Sequence, residues 1–378
     1  MKKLPGLALI FLIILFFGVS SVLAGPTVAI IKHDDHKLVG ESFKYEADRT
    51  PKGEPPDKYW HPEWSKESEA AIAKMVKDAV ELAGNWPVKK GDVVAIVPNL
   101  MIDPFSLILI ARGTPVYIQC TITDARVVRG VALLAKESGA KKIYITTQPA
   151  CASGYSLLKV YGYEAVAKEV GAELVGLDAS PWKYFKAPHA LALKEYAIPA
   201  FLVEEVTKLI SVPIMKTHSL AGYSGALKNI GIGIPTGKVY GQPRYGLPHD
   251  KLARVIIDVC SIRKIDYAVV SAIWAMEGNG PVTGDPVPMD MVIAGADPVA
   301  VDGIMLESMG MKAENFGTIR LGDQFGLGTY KGIKVVGRQV AEVEKQFAVV
   351  PLGKRGPGIW GEIVGWTPKA TPTYYDKK

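Results

Sequence analysis

Beyond residue 93 the chain repeats one rhythm: a short run of β-branched residues, a polar or Gly-containing break, then a segment apolar at helical spacing. Strand-like runs fall at 93–97, 116–119, 142–147 and 173–177. Between them lie a helix opened by Thr123-Asp124 and closed at Gly139, and a second over 156–170 stopped by Gly171. Strands and helices alternating this way predict an α/β fold, a mainly parallel sheet flanked by helices. Runs at 208–215, 266–275 and 289–294 continue the pattern, and Asp297-Pro298 offers an N-cap acid and a first-turn Pro for another helix. Ahead of the rhythm come a strand at 27–31, an irregular Pro-rich stretch over 32–62, and a helix capped by Ser65 and ended by Gly84. The aromatic stretch 178–199 has no periodicity and reads as a junction. The expected organisation is therefore two α/β lobes, 25–199 and 200–350, with an irregular arm at 351–378.

Residues 1–24 have the pattern of a secretory signal: Met-Lys-Lys, an apolar run from Leu7 to Phe17, and small residues up to Ala24. The apolar run is short of the roughly 20 residues that span a bilayer. Cleavage after Ala24 and a periplasmic or extracellular location are expected, with no stable membrane anchor once the signal is removed. Loss of Lys2 and Lys3 lowers the formal net charge from +6 to +4. No run of like charge appears, which argues against nucleic acid or an anionic membrane surface as partner. Cys120, Cys151 and Cys260 are far apart, and three thiols fall short of the usual four ligands of an iron–sulfur cluster. Buried small hydrophobes are the expectation for them.

The chemistry-bearing residues concentrate where predicted strands end. Lys216-Thr217-His218 closes the run at 208–215, Lys228-Asn229 follows in a Gly-rich stretch, and His249-Asp250 opens a helix expected to run to 264. Lys216 and His218 fall on one face if the strand extends that far. Two amines, two imidazoles and an amide suit an anion or a divalent metal. Lys216 and Lys228 would hold anionic oxygens, and His218 and His249 would serve as acid–base groups or metal ligands. The bland alternative is a strand-end imidazole bonded to backbone. The glycines match neither the Walker nor the Rossmann spacing, and turns explain them equally well.

A second polar run, Glu277-Gly-Asn-Gly-Pro281 with Gly284-Asp285, follows the strand at 266–275. Glu277 is a candidate base, and Asn279 and Asp285 are candidates to position a ligand or a hard cation. A Gly-Pro turn with capping acids is an equal alternative. Asp297 reads as a helix cap, and Asp302 has no assigned role. His33-Asp34-Asp35-His36 reads as a solvated turn in preference to a metal clip, and no Ser/His/Asp triad can be defended.

Taken in order, Pro98-Asn99-Leu100, Thr121-Ile-Thr-Asp124, Lys216-Thr217-His218, Lys228-Asn229, His249, Glu277-Gly-Asn-Gly-Pro281 with Gly284, and Asp297-Pro-Val-Ala-Val-Asp302 resemble domain-of-unknown-function family 362. The resemblance implies an α/β fold in which Asn99, Lys216, His218, Lys228, Asn229, His249, Glu277 and Asn279 face one cleft. It implies no activity. Some relatives are iron–sulfur proteins through added ferredoxin-like cysteine motifs, which this chain lacks, so no cluster of its own is expected. The family often has Lys where this chain has Val97 and Asp where it has Ser271. Both departures remove charge, consistent with binding without turnover. The leading expectation is an exported protein with a cleft for a small anionic molecule, with a divalent metal as candidate cofactor. A non-catalytic binding or assembly protein comes second and a redox accessory protein third.

Overall fold

The computed structural model describes residues 25–41, 64–103, 117–150 and 152–349. The expected leader at 1–24, the arm at 351–378, Cys151 and most of the Pro-rich stretch before Trp64 lie outside them. Among the described residues twelve strands run in chain order: β1 (Thr27–Lys32), β2 (Val93–Pro98), β3 (Lys142–Thr147), β4 (Glu173–Gly176), β5 (Trp182–Lys186), β6 (Glu195–Pro199), β7 (Lys208–Val212), β8 (Ile214–His218), β9 (Gly222–Ser224), β10 (Tyr267–Glu277), β11 (Asp285–Gly295) and β12 (Lys334–Gly337).

Ten of them form one mixed sheet in the order β12-β1-β11-β10-β7-β2-β3-β4, with β8 beside β10 and β9 beside β8. The run β10-β7-β2-β3-β4 is parallel throughout, while β11 lies antiparallel to both β10 and β1. The protein is thus an α/β fold. Strands from before and after Pro199 interleave in this sheet, and Pro199 itself ends a strand of the separate β5–β6 ribbon.

Period-two alternation divides the core between the two sheet faces. In β2, Val94 and Ile96 join the cluster under the helices Lys66–Ala83 and Ala125–Glu137, whereas Ala95 and Val97 join the cluster under Ala226–Gly233 and Leu252–Ile262. In β10, Tyr267 and Val269 go with the first, and Ala268 and Val270 with the second. Fully buried parallel strands read as continuous apolar runs for this reason.

Several elements differ from the sequence expectation. The single strand expected at 208–215 is split by Pro213 into β7 and β8. Proline has no N–H to give a ladder, but its carbonyl accepts from Ser271 N at 2.8 Å. The split lets β8 leave β7 and run beside β10, and carries Lys216, Thr217 and His218 as strand residues. The helix expected over 156–170 is broken into Gly154–Val160 and Tyr163–Val170 at Gly162, which sits in the left-handed region with φ 83°. The stretch 178–199 pairs as the β5–β6 ribbon. Of the strand expected at 116–119, residue 116 lies outside the described residues, and Ile118–Cys120 is a 3-10 turn. Ser65 does cap its helix, accepting from Ser68 N at 3.1 Å.

Candidate functional site

Parallel strands present their C-terminal ends at one edge, and open α/β sheets bind ligands there, where the strand order reverses. In this sheet the chain progresses from β2 to β3 and β4 on one side and continues to β7 and β10 on the other. A cavity of about 310 Å³ opens at that edge. Asn99 and Leu100 reach it from the end of β2, Gln148 from the end of β3, and Lys216 and His218 from β8. Lys228 and Asn229 come from the helix Ala226–Gly233, and Arg244 and His249 from the loop beyond it. The sequence motifs around Asn99, Lys216, His218, Lys228, Asn229 and His249 therefore converge. No Asp or Glu lines the cavity among the described residues.

Each of these side chains has a distinct local role. Lys216 is 1% exposed, and its Nζ donates to the Thr121 carbonyl at 2.8 Å. Burial, and then the neighbouring Lys228 charge, bring it down to about 7. Lys228 is partly exposed to the cavity and has no hydrogen-bond or ion-pair partner among the described residues. Burial and the Arg244 guanidinium bring it down to about 7 as well. Asn229 is a fastener: its Nδ2 donates to the Val97 carbonyl at 2.7 Å and to Ser211 Oγ at 3.2 Å, tying its helix to β2 and β7. Asn99 Nδ2 donates to Asn229 Oδ1, and Asn99 Oδ1 is buried without a donor among the described residues.

The two imidazoles are held in opposite tautomers. His218 Nδ1 accepts from the backbone N–H groups of Leu220 and Ala221, at 3.0 and 3.3 Å, which puts the proton of the neutral ring on Nε2. Nε2 of the neutral ring is thereby a donor, and poorly suited to ligating a metal. His249 Nδ1 lies 2.8 Å from the Leu247 carbonyl. A carbonyl only accepts, so this nitrogen carries the proton and Nε2 keeps the lone pair. Among the described residues no group of three or more His, Cys, Asp or Glu side chains is placed to hold a metal ion.

The second polar motif takes another part. Glu277, Asn279 and Asp285 do not line the cavity. Glu277 Oε2 accepts from Ala348 N at 2.8 Å, Asn279 Nδ2 donates to Thr283 Oγ1 at 2.6 Å, and Asp285 is exposed at the start of β11. The backbone of the motif instead braces β8. Thr217 Oγ1 donates to the Gly278 carbonyl at 3.0 Å, and Ser219 N donates to that of Gly280. A Cβ on Gly280 would lie 2.0 Å from the Thr217 carbonyl oxygen, so only glycine permits this approach. Pro281 and Val282 then close one wall of the cavity.

Gln148 and Arg244 escaped the sequence reading. Gln148 Nε2 donates to the Pro235 carbonyl and its Oε1 accepts from Gly237 N, while Arg244 donates to the carbonyls of Pro149 and Gln148. The signal for Gln148 was its place immediately after a predicted parallel strand. For Arg244 it was a lone cation in a Gly-Pro loop between two motifs.

Asp302 proves to be a helix anchor. It is fully buried, and its carboxylate accepts from Ala226 N at 2.5 Å, Leu227 N at 3.1 Å and Tyr223 Oη at 3.1 Å. Burial pushes it up to about 7. It occupies the first amides of the Lys228 helix, those of Ala226 and Leu227. Asp297 caps its own helix through Val299 N and Ala300 N. In the His33–His36 run, Asp35 caps the short helix His36–Val39, and His36 pairs with Asp290 at 2.6 Å. Cys120 and Cys260 are buried free thiols, and burial pushes both up, Cys120 to about 12.

The fold and this cleft define an α/β protein with a cavity at the C-terminal edge of its parallel strands, lined by three cationic side chains and, among the described residues, no carboxylate. The chain belongs to the family described as a domain of unknown function, DUF362, whose model matches residues 94–307 and so contains the whole cavity lining. The Thylakoid-associated protein sll1697 of Synechocystis sp. is 26% identical over 250 residues, covering 65% of this chain and 71% of that protein. A crystal structure of a Thermotoga maritima protein is 16% identical and covers 69% of this chain at a TM-score of 0.31. The match spans 59% of that solved chain.

Proposed function

We propose that this protein is exported and binds a small anionic molecule in the cavity at the C-terminal edge of β2, β3 and β8. The observation that carries the reading is a lining with three cationic side chains, Lys216, Lys228 and Arg244, and no carboxylate among the described residues. Positive charge gathered in a buried lining is costly, and an anion entering it would offset that cost. His218 Nε2–H adds a donor. Asn99 Oδ1 adds an acceptor, which favours an anion that also carries a hydroxyl or another donor. A divalent cation fits less well, because it would meet like charge and find one of the two imidazoles with its proton toward the wrong partner. Glu277 is not part of this reading. Export rests on the residue pattern of 1–24.

The test is a thermal-shift screen of the mature protein against inorganic phosphate and small mono-, di- and tricarboxylic acids, repeated on Lys228→Met and Lys216→Met. One ligand class is expected to raise the midpoint of the wild type, with the rise lost in both variants. A ligand present at a hundredfold excess over its Kd stabilises by about 2.7 kcal/mol, well within reach of the measurement. Equal shifts in wild type and variants would remove the cavity from the account.

A further inference from the structure

We propose that Lys228 is an imine-forming residue, which condenses its amine with the ketone of a 2-oxo acid held in the cavity. The proposal rests on the anion reading and names the substrate class within it. Lys216 and Lys228 both project into the same lining, but they are built differently. Lys216 is committed, its amine donating to the Thr121 carbonyl. Lys228, in the first turn of the helix Ala226–Gly233, has no acceptor among the described residues, and the charge closest in effect is the repelling guanidinium of Arg244. A lysine kept for charge would be given a carboxylate or a carbonyl. One kept among cations and without an acceptor is shifted toward the neutral amine, and a neutral amine facing a cavity is a nucleophile. The depression of Lys228 to about 7 agrees with this placement.

The remaining lining supplies what the condensation needs. The carboxylate of a 2-oxo acid would meet Arg244, Lys216 and the Nε2–H of His218, leaving the adjacent carbonyl carbon for Lys228. The amine lone pair forms a C–N bond as the carbonyl π electrons move to oxygen. The amine proton passes to His249 Nε2, the lone-pair nitrogen of that ring. His249 passes that proton on to the carbonyl oxygen to give the neutral carbinolamine, whose O–H has a buried acceptor in Asn99 Oδ1. The second amine proton then takes the same route through His249 Nε2 to that hydroxyl, which leaves as water while the nitrogen lone pair forms the C=N bond. The step is a condensation, with no net oxidation or reduction.

The experiment is incubation of the mature protein with pyruvate, oxaloacetate or 2-oxoglutarate in the presence of cyanoborohydride, followed by intact mass and peptide mapping. Lactate, which offers the carboxylate without the ketone, is the control. Binding is followed in parallel by calorimetry without reductant, for wild type, Lys228→Arg and Lys228→Met. The expected result is one reduced adduct on Lys228 with a 2-oxo acid and none with lactate. The adduct should be lost in both variants, while Lys228→Arg, which keeps the charge, still binds. Binding without an adduct would overturn the imine and leave the anion cleft standing. Adducts spread over surface lysines would also overturn it. Neither binding nor adduct, with variants and wild type unfolding alike, would overturn both readings.

Discussion

With its amine buried and its charge opposed by Lys228, Lys216 loses its proton in the folded protein well below the pH at which it does so in the unfolded chain. The folded value near 7 lies below the unfolded 10.5, so between them the unfolded chain binds more protons and stability rises with pH. Asp302, raised to about 7 from 3.8, acts the other way below neutrality, so the wild-type curve alone mixes the two. The difference between wild type and Lys216→Met isolates the lysine. Chemical denaturation from pH 6 to pH 10 is expected to show wild type gaining on the variant above about pH 7. A flat difference would contradict the buried-amine geometry. Sequence reading found both lysines and both histidines because polar residues at predicted strand ends are conspicuous. It left the two imidazoles equivalent, since the carbonyl of Leu247 and the amides of Leu220 and Ala221 that set their tautomers depend on loop conformation.

The helix Ala226–Gly233 carries Lys228 and Asn229, and its position depends on one carboxylate. A Cβ on Gly225 would lie 2.3 Å from Asp302 Oδ1, so the helix start and the carboxylate fit only with glycine there. Asp302→Ala strands two backbone donors and a tyrosine hydroxyl, and each stranded buried donor costs about 1–3 kcal/mol, less than additively. Denaturant unfolding should report a loss of that order for Asp302→Ala and a comparable one for Gly225→Ala. A loss within the error of the method would mean that the helix is held elsewhere. Asp302 had no assigned role in the sequence because its partners come from β9 and the helix after it, far away along the chain. The Glu277-Gly-Asn-Gly-Pro281 run misled differently. Its side chains suggested chemistry, whereas its backbone does the work of bracing Thr217 and Ser219. Motif spelling alone does not separate those two uses, and only the register of β8 beside β10 does.

At the scale of the molecule the sheet edge creates the cavity, and the parallel core behind it was the most legible part of the chain. Strand and helix alternate in periods that local sequence shows directly, so β2, β3 and β7 were readable, while the break at Pro213 that sends β8 to β10 depends on tertiary pairing. Ile96, fully buried in β2, packs under the helices on the face away from Lys228. Ile96→Ala is expected to cost about 2–5 kcal/mol and, because it sits on the opposite face, to leave ligand affinity unchanged in protein that remains folded. The central claim is an anion held by two amines that burial brings down to about 7 in the empty protein. Anion binding stabilises the ammonium forms and raises their pKa, so the bound state takes up protons and affinity falls as pH climbs through about 7. The direct test is titration calorimetry of the best acid from the screen at pH 6, 7, 8 and 9 in buffers of different ionisation enthalpy. The account predicts proton uptake on binding and an affinity that weakens by up to about tenfold per pH unit for each lysine engaged. An affinity independent of pH, with no proton uptake and no loss in Lys228→Met, would contradict it.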